Sequence, residues 1–165
     1  MFGSYDKAVS PNYLDFHKGE MLHDSITAKV TFDVFQSCLI DYDVLYHDKG
    51  GIPLVSSQLA EVLKKIARER VQFIRTTVAC RDGDSDGFWS LNIVGFSEII
   101  DLGNSDYFCL PGTSKPIGFH RMSTRIGSLD GLEIGRDRNF PPAIFVTSSL
   151  AEVLMKSSGN KLRFD

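Results

Sequence analysis

Apolar side chains recur with a helical period over residues 59–67, where Leu59, Val62, Leu63, Ile66 and Ala67 fall at i, i+3, i+4, i+7 and i+8. This spacing predicts an amphipathic helix with a single apolar stripe. Ser56 or Ser57 stands where an N-cap hydroxyl would accept a free first-turn amide. Glu61 near its start and Lys64, Lys65, Arg68 and Arg70 towards its end suit the helix dipole. Short extended runs frame it, residues 52–55 after Gly50-Gly51 and residues 71–73 beyond.

The same pattern returns near the C-terminus. Leu150, Val153 and Leu154 make a shorter stripe, Gly159 or Asn160 offers a left-handed stop, and residues 162–164 are again extended in character. Residues 52–73 and 143–164 align without a gap at an offset of 91, with nine identical pairs, among them Val55/Val146, Leu59/Leu150, Leu63/Leu154 and Phe73/Phe164. A duplicated strand–helix–strand unit explains this; two chance amphipathic helices with similar caps are the alternative. Two copies do not make a stacked-repeat fold, which needs about three.

Between the copies the periodicity changes. Residues 71–80 are rich in β-branched side chains, and in residues 88–96 Trp89, Leu91 and Ile93 alternate with Ser90 and Asn92. Residues 81–87, with two glycines and three aspartates, are expected as the hairpin loop between them. Residues 103–142 are the least regular, with short apolar islets at 108–110, 117–119 and 132–134. Residues 1–30 show no settled period, and in residues 31–39 the spacing of Phe32, Phe35 and Leu39 suits strand or helix. The expected architecture is α+β: a single domain spanning 1–165, mostly antiparallel sheet, with two capped amphipathic helices from the duplicated unit packed on it.

Composition agrees with one globular domain. The chain has 165 residues, 42% of them hydrophobic and 24% charged, and its twelve Phe argue for a substantial core. No apolar run approaches the ~20 residues of a membrane span, and no signal peptide is visible at the start. Cys38, Cys80 and Cys109 lack paired spacing and read as buried, reduced thiols, so a cytoplasmic location is expected.

Charge is more informative in its order than in its sum of −3. Residues 61–81 hold six bases and two acids, whereas residues 82–114 hold Asp82, Asp84, Asp86, Glu98, Asp101 and Asp106 and no Lys or Arg. A segment of one sign can present an acidic patch, which disfavours nucleic acid and favours a basic partner. Scattering of these acids over separate faces is the alternative.

Little else suggests chemistry. Residues 82–87 match the first half of a calcium loop, but Ile93 stands where the closing bidentate acid belongs, so no metal is expected. His17, His23, His47 and His120 have no ligand spacing and lie in no nucleophile motif; no phosphate loop or dinucleotide fingerprint occurs, and neither catalytic residue nor cofactor is assigned. Trp89 reads as a core residue, and the basic face at 64–70 as solvated.

The series Gly51-Ile-Pro-Leu-Val-Ser-Ser-Gln-Leu-Ala-Glu-Val-Leu, Val71-Gln-Phe, a strand containing Leu91-Asn92, and Ile144-Phe-Val-Thr-Ser-Ser-Leu-Ala-Glu-Val-Leu ending near a Phe resembles the eleventh immunity family of the bacterial polymorphic-toxin systems. The resemblance covers roughly residues 40–165 and leaves 1–40 unmatched. It implies an intracellular antidote, without a shared catalytic set, that binds and neutralises a cognate toxin or effector domain. The acidic residues 82–106 are then the expected toxin-binding surface, since charge complementarity speeds association with a basic partner. The alternative is a small enzyme or ligand-binding domain with its site in residues 103–142. Neither nucleic acid nor membrane is an expected partner, and the oligomeric state is left open.

Overall fold

The computed structural model describes residues 2–129, 131–159 and 161–164. Its centre is a closed six-stranded barrel. The strands are β1 (Phe2–Tyr5), β2 (Thr27–Thr31), β3 (Val44–His47), β4 (Leu54–Ser56), β5 (Val71–Cys80) and β6 (Gly83–Ile93), in spatial order β1-β2-β5-β6-β4-β3. Two of the six seams are parallel, β2 with β5 and β3 with β1; the other four are antiparallel. The expectation of strands with two helices is met, and the sheet is mostly antiparallel. It differs in being closed. Closure depends on β1 and β2, which lie in the residues whose period could not be read.

The hairpin β5–β6 is longer than its alternation suggests. β6 begins at Gly83, and Cys80 already faces Gly83, so the turn is Arg81-Asp82 rather than residues 81–87. At its far end β6 stops at Ile93, short of the expected residue 96. Both faces of this hairpin are covered. Inside the barrel lie Val30, Phe32, Leu54, Ile74 and Val78 with the plug residue Phe16. Polar side chains share that interior: Thr76 and Ser90 are fully buried with hydroxyls 2.8 Å apart, and Asn92 donates to Gln72 at 3.0 Å. These side chains thus find partners on the adjacent strand, as buried polar groups require. Trp89 faces outward instead, half-buried, with its indole N–H donating to Ser57 and Lys64 5.5 Å above its ring.

The helices cover the barrel's outer wall. α1 (Ser57–Ile66) is capped by Ser56, whose hydroxyl accepts the Leu59 amide at 3.2 Å, and α2 (Ser148–Ser157) by Thr147, which accepts that of Leu150 at 3.3 Å. Gly159 follows α2 with φ +61, the left-handed stop; Asn160 lies outside the described residues. Leu59, Leu63, Leu150 and Leu154 are all buried, in one core with Val55, Leu91 and Ile93 from the barrel wall. Glu61 falls beyond the first turn and pairs with Lys64 at 2.9 Å.

The correspondence between the halves reaches beyond the aligned helices. β9 (Ile134–Arg136) pairs with β10 (Ile144–Val146) before α2, as β3 pairs with β4 before α1. The Tyr42 amide donates to the Leu39 carbonyl at 3.0 Å, and, 90 positions on, that of Leu132 donates to Leu129 at 2.7 Å. Ser56 donates from its amide to the Asp43 carbonyl at 2.8 Å, and Thr147 to Glu133 at 3.0 Å. Both cap hydroxyls also donate to those acids, Ser56 to Asp43 and Thr147 to Glu133. The match continues upstream. Gly3 pairs in parallel with His47, and Ser97 with Asp137. The Lys29 amide donates to the Ser10 hydroxyl at 2.8 Å, and the Ser123 amide to Ser105 at 3.0 Å.

The halves diverge after the helix. In the first, β5 and β6 close the barrel. In the second, among the described residues no strand comes after α2; residues 162–164, expected as a closing strand, are irregular. The region 103–142 is more ordered than its composition suggests, holding β7 (Asp106–Cys109), β8 (Pro116–Arg121) and β9 at the three apolar islets. The two halves meet at Arg136, which is fully buried and donates to the carbonyls of Gly51, at 2.8 Å, and Pro141. Gly51 has φ +78, and a Cβ there would sit 2.6 Å from Pro142 Cα, so this junction requires glycine. The three cysteines are not buried as expected: Cys38 is exposed on the 3-10 turn before β3, and Cys80 and Cys109 are half-buried at strand ends. Among the described residues no helix is long and apolar enough to cross a membrane.

Candidate binding surface

β3 alternates inward and outward, with Leu45 and His47 buried and Val44 and Tyr46 directed outward. Its parallel neighbour β1 sets Phe2 opposite Tyr46. Upstream of β3, Phe35, Ile40 and Tyr42 are also exposed. These five side chains are conspicuously open: Phe2 75%, Phe35 53%, Ile40 83%, Tyr42 49% and Tyr46 54% exposed. The link between β2 and β3 carries Phe35, Ile40 and Tyr42. It carries a one-turn 3-10 helix at Gln36–Cys38, anchored by Leu39 in the barrel core and by the Asp82 carboxylate, which accepts the Gln36 amide at 2.8 Å.

Two adjoining clefts flank this link and share Ser37, Tyr42 and Asp43. The larger, of about 850 Å³, runs along Val44 and Tyr46 to Lys161, Leu162 and Arg163. The smaller, of about 370 Å³, runs to Ser85, Gly87 and Phe88 on β6. Carboxylates line both: Asp41 and Asp43 the larger cleft, and Asp43 the smaller as well. Asp43 is committed to the Ser56 cap at 2.8 Å.

The six acids expected as one patch fall into two groups. Asp82, Asp84 and Asp86 are exposed at the β5–β6 turn, and Asp82 reaches Gln36 on the edge of the smaller cleft. Glu98, Asp101 and Asp106 belong to the second half. Glu98 pairs with Arg125 at 2.8 Å, while Asp101 caps the 3-10 turn at Leu102–Asn104. The Asn104 side-chain amide holds the Asp101 carboxyl below the usual range. Asp106 is exposed at the start of β7. Bases distant in sequence return to the acidic segment, Arg75 to Asp86 at 3.2 Å and Arg125 to Glu98. Sequence order alone could not show that offset.

The aromatic patch was not legible as a site. Phe35 sits in a stretch whose period is ambiguous, and the partner of Tyr46 is Phe2, more than 40 positions away. Asp82, Asp84 and Asp86 do not converge on a point: Asp82 is spent on Gln36, and Asp86 on Arg75 and Thr77. Neither cleft draws a residue from 103–142, the region named for an alternative ligand site.

Three ionisable groups are strongly perturbed away from the clefts, and burial raises one of them, the Tyr5 phenol, to about 12. His47 is buried against Tyr5, ring centroids 5.0 Å apart, and burial lowers its pKa to about 4. Arg136 is pulled down to about 10 by burial. His47 and Arg136 both sit in the packed seams of the fold, where they organise backbone rather than face solvent. No protein-family model matches the chain, and a comparison with curated proteins finds no match.

Proposed function

We propose that this protein is a non-enzymatic binding protein that neutralises a cognate bacterial toxin or effector domain in the cytoplasm by direct, stoichiometric association. The observation that carries the reading is the pair of exposed tyrosines, Tyr42 and Tyr46, on the wall of the larger, acid-lined cleft, with Phe2 beside Tyr46 on the neighbouring strand. Aromatic side chains left open on a rigid wall are expensive to expose and are the residues that dominate association energies when covered. Tyrosine supplies large contact area with few rotatable bonds, and a polar rim sets register and partner choice. The resemblance to the eleventh immunity family supplies the partner class. In this reading Asp82, Asp84 and Asp86 form one acidic contact, joined to the β2–β3 link by the bond between Asp82 and Gln36, and Glu98, Asp101 and Asp106 form a second, separate one.

Co-expression with the toxin domain encoded beside its gene tests the proposal. The expected result is restored growth together with co-purification of the two chains. Restored growth without a complex, or protection at strongly substoichiometric amounts, would show that the protein acts by turnover instead.

A further inference from the structure

We propose that the larger cleft takes an extended, Lys- or Arg-bearing segment of the partner, and that the chain's own residues 161–164 cover one end of it until the partner arrives. This deepens the toxin-binding function and rests on it for the identity of the partner.

The cleft has an aromatic wall, Tyr42 and Tyr46, and carboxylates at Asp41 and Asp43. Among the described residues, its only basic lining groups are Lys161 and Arg163, and both come from the tail. The tail shows what chemistry fits. Lys161 donates to the Asp41 carbonyl at 2.9 Å and lies 3.7 Å from its carboxylate, while Leu162 turns into the core between the halves. A base, an apolar residue and a second base thus already lie against this wall.

The hold on the tail is weak. Lys161 and Asp41 are both largely exposed, and exposed ion pairs contribute little. The corresponding residues of the first half, 71–73, are locked into β5 by pairing with Ile93, Asn92 and Leu91. Residues 162–164 make no such ladder. A partner segment with the same alternation of base and apolar residue would keep the charge complementarity and add contact with the tyrosines. It would displace the ammonium of Lys161 rather than meet a vacant surface.

Fluorescence anisotropy with full-length protein tests this, using a labelled synthetic peptide of residues 156–165 as the probe. The double variant Lys161→Ala/Arg163→Ala should bind the peptide about two- to fivefold more tightly than the wild type, because an exposed pair no longer competes. Binding should weaken as salt is raised. It should be lost when Tyr42→Ala and Tyr46→Ala are added, and for a peptide with Lys161→Glu and Arg163→Glu. Equal affinity for wild type and double variant, or retention of binding without the tyrosines or with the charge-reversed peptide, would overturn the proposal. Toxin binding with no peptide binding would sink this inference alone. Peptide binding with no toxin complex would sink the wider functional reading alone.

Discussion

Asp43 and Glu133 do the same work 90 positions apart: each accepts a hydrogen bond from the hydroxyl that caps the following helix, and each receives the amide of that capping residue on its carbonyl. The cap is therefore a three-part device of acid, hydroxyl and first-turn amide. Removing the hydroxyl alone, by Ser56→Ala or Thr147→Ala, should cost about 1 kcal/mol in urea unfolding. Combining Ser56→Ala with Asp43→Asn should cost less than the sum of the two single changes, since both remove one shared interaction. Strict additivity would show that the acid acts independently of the cap.

Leu63 and Leu154 occupy equivalent buried points in one core. Leu63→Ala and Leu154→Ala should each destabilise by about 2–5 kcal/mol in denaturant melts, the range for emptying a packed leucine site. An effect below about 1 kcal/mol at Leu154 would mean that the second helix is not part of the cooperative core.

The helices and their caps were legible because each is a local pattern: stripe, hydroxyl and stop fall within a dozen residues. The barrel was not, because its closure needs the parallel seams β1–β3 and β2–β5, which join residues more than 40 apart. Alternation misled at Ser90 and Asn92, which face the barrel interior and find partners there in Thr76 and Gln72. The repeat was visible where its offset is a constant 91 and hidden upstream, where one extra loop residue in the second half shifts the Asp43/Glu133 pair to 90. Of the candidate site, the acidic turn at 82–86 could be seen as composition. The aromatic patch exists only once β1 and β3 are paired.

His47 makes stability depend on pH. Burial lowers its folded pKa from 6.5 to about 4, so the unfolded chain binds its proton first as pH falls. The stabilisation from keeping this ring neutral is present above about pH 6.5 and is lost progressively between 6.5 and about 4. The shift corresponds to roughly 3 kcal/mol at most. The melting temperature of wild type should fall more steeply over that window than that of His47→Gln. Parallel slopes would show that the ring takes up its proton alike in the folded and unfolded states.

Calcium at millimolar concentration should leave the melting temperature unchanged, because Asp82 and Asp86 are directed to Gln36 and Arg75 and do not converge on one ion. A clear rise that disappears in Asp84→Ala would reverse this reading of the turn.

Substitution of Asp82, Asp84 and Asp86 by Asn should slow association with the toxin domain in stopped-flow mixing, with the deficit shrinking as salt is raised. The fold should survive, since these side chains lie outside both cores. An unchanged association rate would remove these residues from the interface.

Calorimetric titration of the purified protein with the purified toxin domain encoded beside its gene tests neutralisation by binding most directly. The expected result is saturable binding at one to one, abolished or greatly weakened by Tyr42→Ala with Tyr46→Ala while the melting temperature holds. No heat of binding under conditions where the protein protects cells, or full binding by the tyrosine variant, would contradict it.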